Sequence, residues 1–131
     1  MEFGYEKLDV AKLARELIKK IYRITNKFPK DERFGLTGQI KRAVVSVLLN
    51  IAEGSNRKGK KEFNQFVRIS ISSLVEVDCA LKIGIDLEYI EQEDYEKVEP
   101  IIKELYFKLI GLSKYLSKWS FTTFRTITTL C

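Results

Sequence analysis

The segment 95–116, YEKVEPIIKELYFKLIGLSKYL, decides the fold. Tyr95, Val98, Ile102, Leu105, Leu109, Leu112 and Leu116 recur at alternating intervals of three and four. That period lays one apolar stripe along a helix and suits left-handed packing of long helices at shallow angles. Asp94 and its acidic neighbours suit the start of such a helix, where the backbone dipole favours negative charge. Pro100 lies inside the stripe. It predicts a kink or a weak first turn, because proline has no N–H and its ring crowds the preceding turn.

The same spacing appears at the other end of the chain, in Val10, Ala14, Leu17, Ile21, Ile24 and Phe28, with Pro29 as its stop. Two further helical segments lie between. Thr37 is expected to cap the first of them, and Gly54 to end it in a left-handed conformation. Gly59 punctuates the turn that follows. Four helices, at about 8–27, 37–54, 60–86 and 92–116, joined by short turns, predict an all-α protein: an antiparallel up-down-up-down four-helix bundle over residues 1–116. The tail 117–131, SKWSFTTFRTITTLC, is rich in Thr and Phe and reads more like a strand than a helix. Its structure stays open.

With 131 residues the chain forms one domain. No apolar run approaches the roughly 20 residues that cross a bilayer, and MEFGYEKLDV lacks the pattern of a secretion signal. A cytoplasmic protein without membrane attachment is expected. Cys79 and Cys131 suggest no disulfide framework. The chain contains no histidine. That removes His-dependent nucleophilic sites, His-containing zinc sites, and the Glu-x-x-His pairs with which helical bundles hold two irons. No phosphate-binding glycine loop or dinucleotide fingerprint is present. Paired carboxylates such as Glu53 with Glu76 are better read as arginine partners or turn caps. No catalytic residue, metal or cofactor is expected, and the protein is read as a non-enzyme.

The second helical segment is apolar on too many sides. Ile40, Ala43, Val44, Val47, Leu48 and Ile51 form one stripe, yet Val45, Leu49 and Ala52 lie on the far side. The third segment has a main stripe of Phe63, Phe66, Val67, Leu74, Val77 and Leu81, with Ile69, Val75, Cys79 and Ile83 elsewhere on its circumference. Self-association through Val45, Leu49 and their neighbours would cover this surplus. Scattered surface hydrophobes are the alternative. A polar ridge of Gln39, Arg42, Ser46, Asn50 and Glu53 would then set helix register or subunit angle, with Glu76 as the expected partner of Arg42.

Charge is unevenly spread. Residues 1–68 carry 16 Lys/Arg against 8 Asp/Glu, and residues 69–131 carry 7 against 10, within a net charge of +5. Lys12, Arg15, Lys19 and Arg23 are spaced 3, 4 and 4 and share one helix face. Arg57, Lys58, Lys60 and Lys61 crowd the turn in NIAEGSNRKGKKEF. Both groups suit phosphate backbones, and both also suit an ordinary solvated surface. No aromatic interleaving is read among them, so base-specific recognition is not expected.

Two stretches resemble a known family. They are ARELIKKIYRITNKFPKDERFGLTGQIKRAVVSVLLNIAEGSNRKGKKEF, residues 14–63, and SISSLVEVDCAL, residues 70–81. They look like the four-helix bundle protein family, also called the 23S ribosomal RNA intervening-sequence proteins. The most specific parts are ERFGLTGQI at 32–40 with Arg42, and NIAEG at 50–54. The resemblance covers about residues 5–116 and departs from the family pattern after Leu116. It implies a small bacterial cytoplasmic protein assembled into a homo-oligomeric ring, a pentamer in relatives, with no established activity. It also implies RNA, or an RNA-bound protein such as a reverse transcriptase, as partner. The other class consistent with the residues is a protein-interaction scaffold that never touches nucleic acid, its acidic half meeting a basic half.

Overall fold

The computed structural model describes residues 1–118. Its long helices are α1 (Asp9–Thr25), α2 (Leu36–Ser55), α3 (Lys60–Asp86) and α4 (Gln92–Leu116). Short 3-10 turns at Gly4–Lys7 and Lys30–Glu32 precede α1 and α2, and no strand occurs among the described residues. Residues 119–131, most of the tail read as strand-like, lie outside the described residues.

Side-chain pairs give the direction of each helix. Gln39 bonds Glu76 and Ser46 meets Ser73, so α2 and α3 run antiparallel. Tyr95 bonds Asp78 and Ser113 bonds Asn64, which does the same for α3 and α4. Lys27 pairs with Asp94 and Lys108 with Asp9, closing α4 back onto α1. Close backbone approaches join α1 to α2, α2 to α3, α3 to α4 and α4 to α1, with none across either diagonal. The core is the apolar seam enclosed by the four, with Leu17, Ile21, Ile40, Ile51, Leu74, Leu81, Leu105 and Leu109 all fully buried. The 3-4 spacing of apolar residues put them there.

Three local expectations are corrected, and a fourth concerns Pro100. Helix α1 stops at Thr25, short of the expected 27, because Asn26, Lys27 and Phe28 donate to carbonyls only three residues back and tighten the chain ahead of Pro29. Phe28 instead folds in against Tyr89, ring centroids 5.5 Å apart. Thr37 does not cap α2. The helix begins one residue before it, Gly35 is the N-cap, and the Thr37 hydroxyl is buried without a partner.

Gly54 does not end α2 in a left-handed turn. It is buried inside the helix, and no glycine among the described residues has positive φ. A Cβ there would lie 2.7 Å from the Phe66 Cβ and 2.9 Å from the Phe63 Cδ1. Close approach of α2 to α3 is what requires glycine. Lastly, α4 is continuous through Pro100. Glu96 and Pro100 are both exposed, so water can satisfy the carbonyl that proline leaves free. The start of that helix is secured by a capping box in which Asp94 accepts from the Glu91 N–H at 2.9 Å.

Candidate nucleic-acid interface

Helix α1 turns its apolar stripe inward, so the residues about half a turn away face solvent. Lys12, Arg15, Lys19 and Arg23 are all exposed there. None of the four makes an ion pair among the described residues. Other cations are engaged. Lys20 meets Glu16 at 3.7 Å, Lys82 meets Asp78 at 2.7 Å, and Lys108 lies 3.5 Å from both Asp9 and Glu104. What distinguishes the row is that four unpaired cations share one outward face of a single helix.

The basic turn is a different surface. It joins α2 to α3, and α3 sits diagonally across the bundle from α1. Lys60 and Lys61 open α3 and so stand apart from the row on α1. Within the turn, Arg57 is tied to Glu53 at 2.5 Å and its guanidinium lies 5.0 Å from the Phe66 ring centroid. Lys60 lies 4.6 Å from the centroid of Tyr115. Lys58 and Lys61 are exposed and unpaired among the described residues. Aromatic rings do approach these cations, contrary to the sequence reading, because α4 brings Tyr115 to the turn. Tyr22, which falls between Lys19 and Arg23 in the sequence, is also half-exposed and lies toward α2, with Lys41 over its ring at 4.8 Å. Its position in the sequence was the signal that could have found it.

The polar ridge on α2 is real, with different partners. Arg42 does not reach Glu76. It donates to the Gln39 Oε1 at 3.1 Å, and Gln39 in turn donates from Nε2 to Glu76 at 3.0 Å. The neutral amide relays the two charges across the α2–α3 junction. Asn50 donates to the Ser46 carbonyl at 2.8 Å and to its hydroxyl at 2.9 Å, and that hydroxyl shares a hydrogen bond with Ser73. Glu53 is held by Arg57 of the turn that follows its helix. These groups satisfy one another inside a single chain.

Part of the surplus apolar surface is also covered within the chain. Val45 is half-buried against the core, and Ala52 is half-buried beside the 3-10 turn Gly4–Lys7, which packs on α1 and α2. What stays open is Leu49, 61% exposed, and the outside of α3. There Ile69, Ser72, Glu76, Cys79 and Ile83 are all exposed at intervals of 3, 4, 3 and 4. That is the spacing of a helix-packing seam. Ser72 and Glu76 interrupt the apolar Ile69, Cys79 and Ile83 on this face, and α3 makes no close backbone approach to α1.

Between α3 and α4, the buried Tyr95 phenol donates to Asp78 at 2.5 Å, and burial together with that carboxylate pushes its pKa up to about 12. No helix among the described residues is long and apolar enough to cross a membrane.

Comparison with known proteins places this geometry. The family model described as 23S rRNA-intervening sequence protein matches residues 6–111. The fold is similar to the crystal structure of a protein with unknown function, from the S23 ribosomal protein family, of Bacteroides thetaiotaomicron. The TM-score is 0.74 at 24% identity, covering 80% of this chain and 98% of that one. No curated protein matches the chain.

Proposed function

We propose that this chain, which belongs to the 23S rRNA-intervening sequence protein family, is a cytoplasmic, non-enzymatic accessory protein that self-associates and holds RNA through the outer face of α1. The observation that carries the RNA reading is the row Lys12, Arg15, Lys19 and Arg23, exposed and without ion pairs among the described residues. Four cations spaced over about 16 Å of helix can each neutralise a phosphate and release its counterions. Such contacts position a backbone and do not read bases.

The exposed seam on α3 supports docking between copies, into a ring of the pentameric kind that the resemblance implies. Each copy added to a ring repeats the cationic row. Multivalency then raises avidity without any additional kind of interaction. RNA, or a reverse transcriptase already bound to RNA, is the partner that fits this repeated charge.

A second reading rests on the groove between α3 and α4, where Asp78 and Glu99 flank Val75, Ile102 and Tyr106. With Lys103 also on its rim and Asp78 already held by Lys82 and Tyr95, this largely apolar groove suits a helix of a protein partner, as in a scaffold that needs no nucleic acid. Salt titration separates the two. With Lys12, Arg15, Lys19 and Arg23 changed to Gln, affinity for single-stranded RNA should fall. The slope of log affinity against log salt should shrink by about 0.7 for each phosphate that is no longer neutralised. Affinity unmoved by the four changes, or no RNA binding at about 50 mM salt, gives the function to the scaffold.

A further inference from the structure

A cleft of ≈ 470 Å³ opens between the last turns of α1 and the first turns of α4. Lys20, Arg23 and Lys27 enter it from α1 and the residues just after it, and Lys97 from α4. Ile24 and Val98 form its apolar floor. These are segments some 70 residues apart in the chain (residues 20–27 and 94–98), so only the closing of α4 onto α1 assembles them.

We propose that this cleft is a phosphate-binding site, in which one phosphate group sits among Arg23, Lys27, Lys97 and Lys20. The reading deepens the RNA proposal, on which it rests for the source of the phosphate, and adds cations that the outer face of α1 does not include.

Three features distinguish the cleft from a solvated lysine patch. Its lining holds four cations and one carboxylate, Asp94. One oxygen of that carboxylate accepts from Lys27 and the other from the Glu91 backbone N–H, and the charge of Lys97 also reaches it. Neither Arg23 nor Lys97 makes a direct ion pair among the described residues, and Lys20 has only a 3.7 Å contact to the exposed Glu16, so the cleft keeps a net positive charge.

Second, Lys27 is held in place. Its ammonium is anchored 2.5 Å from the carboxylate of a side chain only 5% exposed, while the lysine itself stays half in solvent. An ammonium has three donors, and the anchor uses one. Third, the apolar floor lowers the local dielectric, which strengthens charge-assisted bonds to a phosphate oxygen. Arg23 supplies the planar fork that suits two phosphate oxygens at once.

The test uses the full chain at about 50 mM salt, where screening is weak. Backbone amide shifts are followed while inorganic pyrophosphate is added, and separately a single-stranded RNA of roughly 12 nucleotides. The variants are Arg23→Gln with Lys97→Gln in the cleft, and Lys12→Gln with Arg15→Gln outside it. Lys27 is left alone, because removing it would strand Asp94. Pyrophosphate should move the amides of residues 20–27 and 94–98, and the cleft variant should bind it about tenfold more weakly than the outside variant.

Shifts elsewhere, or equal pyrophosphate affinity in both variants, overturn the site. RNA bound at full strength by a protein that ignores pyrophosphate also overturns it, and leaves the RNA reading standing. Pyrophosphate bound in the cleft with no RNA binding supports the site, assigns it to free phosphorylated molecules, and removes the RNA reading.

Discussion

Lys27 Nζ lies 2.5 Å from Asp94 Oδ1, tying the end of α1 to the start of α4. The lysine holds the Asp94 carboxyl below the usual carboxylate range, against the opposing effect of burial, and the Glu91 N–H adds to the lowering. A carboxylate depressed in the folded state adds stability above its unfolded pKa, and loses it as pH falls through the folded value. Asp94 should therefore contribute fully at neutral pH and progressively less below about pH 4. Replacing Asp94 with Asn should cost roughly 1–2 kcal/mol at pH 7 and much less at pH 3, compared by urea denaturation at both. An equal cost at the two pH values would show that the charge is irrelevant.

Gly54→Ala reverses the ordinary helix rule. In an exposed helix interior alanine is favoured over glycine by about 1 kcal/mol. Here the added methyl would collide with the Phe66 Cβ and the Phe63 ring, neither of which is the free end of a flexible chain. The substitution should destabilise by about 1–3 kcal/mol, read as a lowered urea midpoint. A gain in stability would mean that α2 and α3 separate easily.

Glu88 is the single non-glycine residue with positive φ among the described residues, at 62°. It follows the end of α3, where the Tyr89 N–H bonds the Gly84 carbonyl at 2.9 Å and the Glu88 N–H bonds Ile85. This double closure favours glycine at the left-handed position. The Glu88 side chain is exposed, so little packing would be forfeited. Glu88→Gly should raise stability by about 0.5–1 kcal/mol in thermal or urea unfolding. Destabilisation would point to a role for the carboxylate that the fold does not display.

Self-association is tested at the exposed apolar residues of α2 and α3. Leu49, Ile69 and Ile83 are 61%, 48% and 42% exposed, so changing all three to Gln should leave the folded chain almost as stable. Sedimentation should nevertheless shift to a smaller species, because the apolar area available to a second copy is removed. A variant that sediments like the parent locates the interface elsewhere. A parent that sediments as a single chain at micromolar concentration removes the ring altogether.

The boundaries of α3 and α4 were readable because periodicity is a local property: a stripe every three or four residues needs only its own helix. The end of α1 was harder, since Phe28 kept the apolar spacing while the chain had already left the helix to reach Tyr89. Gly54 looked like a stop in the sequence and is a point of helix–helix approach in the fold. Nothing local distinguishes a glycine that turns from one that lets another helix come close.

The sequence by itself determined a helical bundle, a cationic row along α1 and a surplus of apolar residues on the middle helices. The tertiary structure alone decided which charges are already spent, that Gln39 stands between Arg42 and Glu76, and that Lys60 and Lys61 stand apart from the row. It also brought Lys97 beside Arg23 and Lys27. The reason is range. Helix spacing follows from bonds a few residues long, whereas pairing across helices depends on which faces the whole chain has turned toward each other.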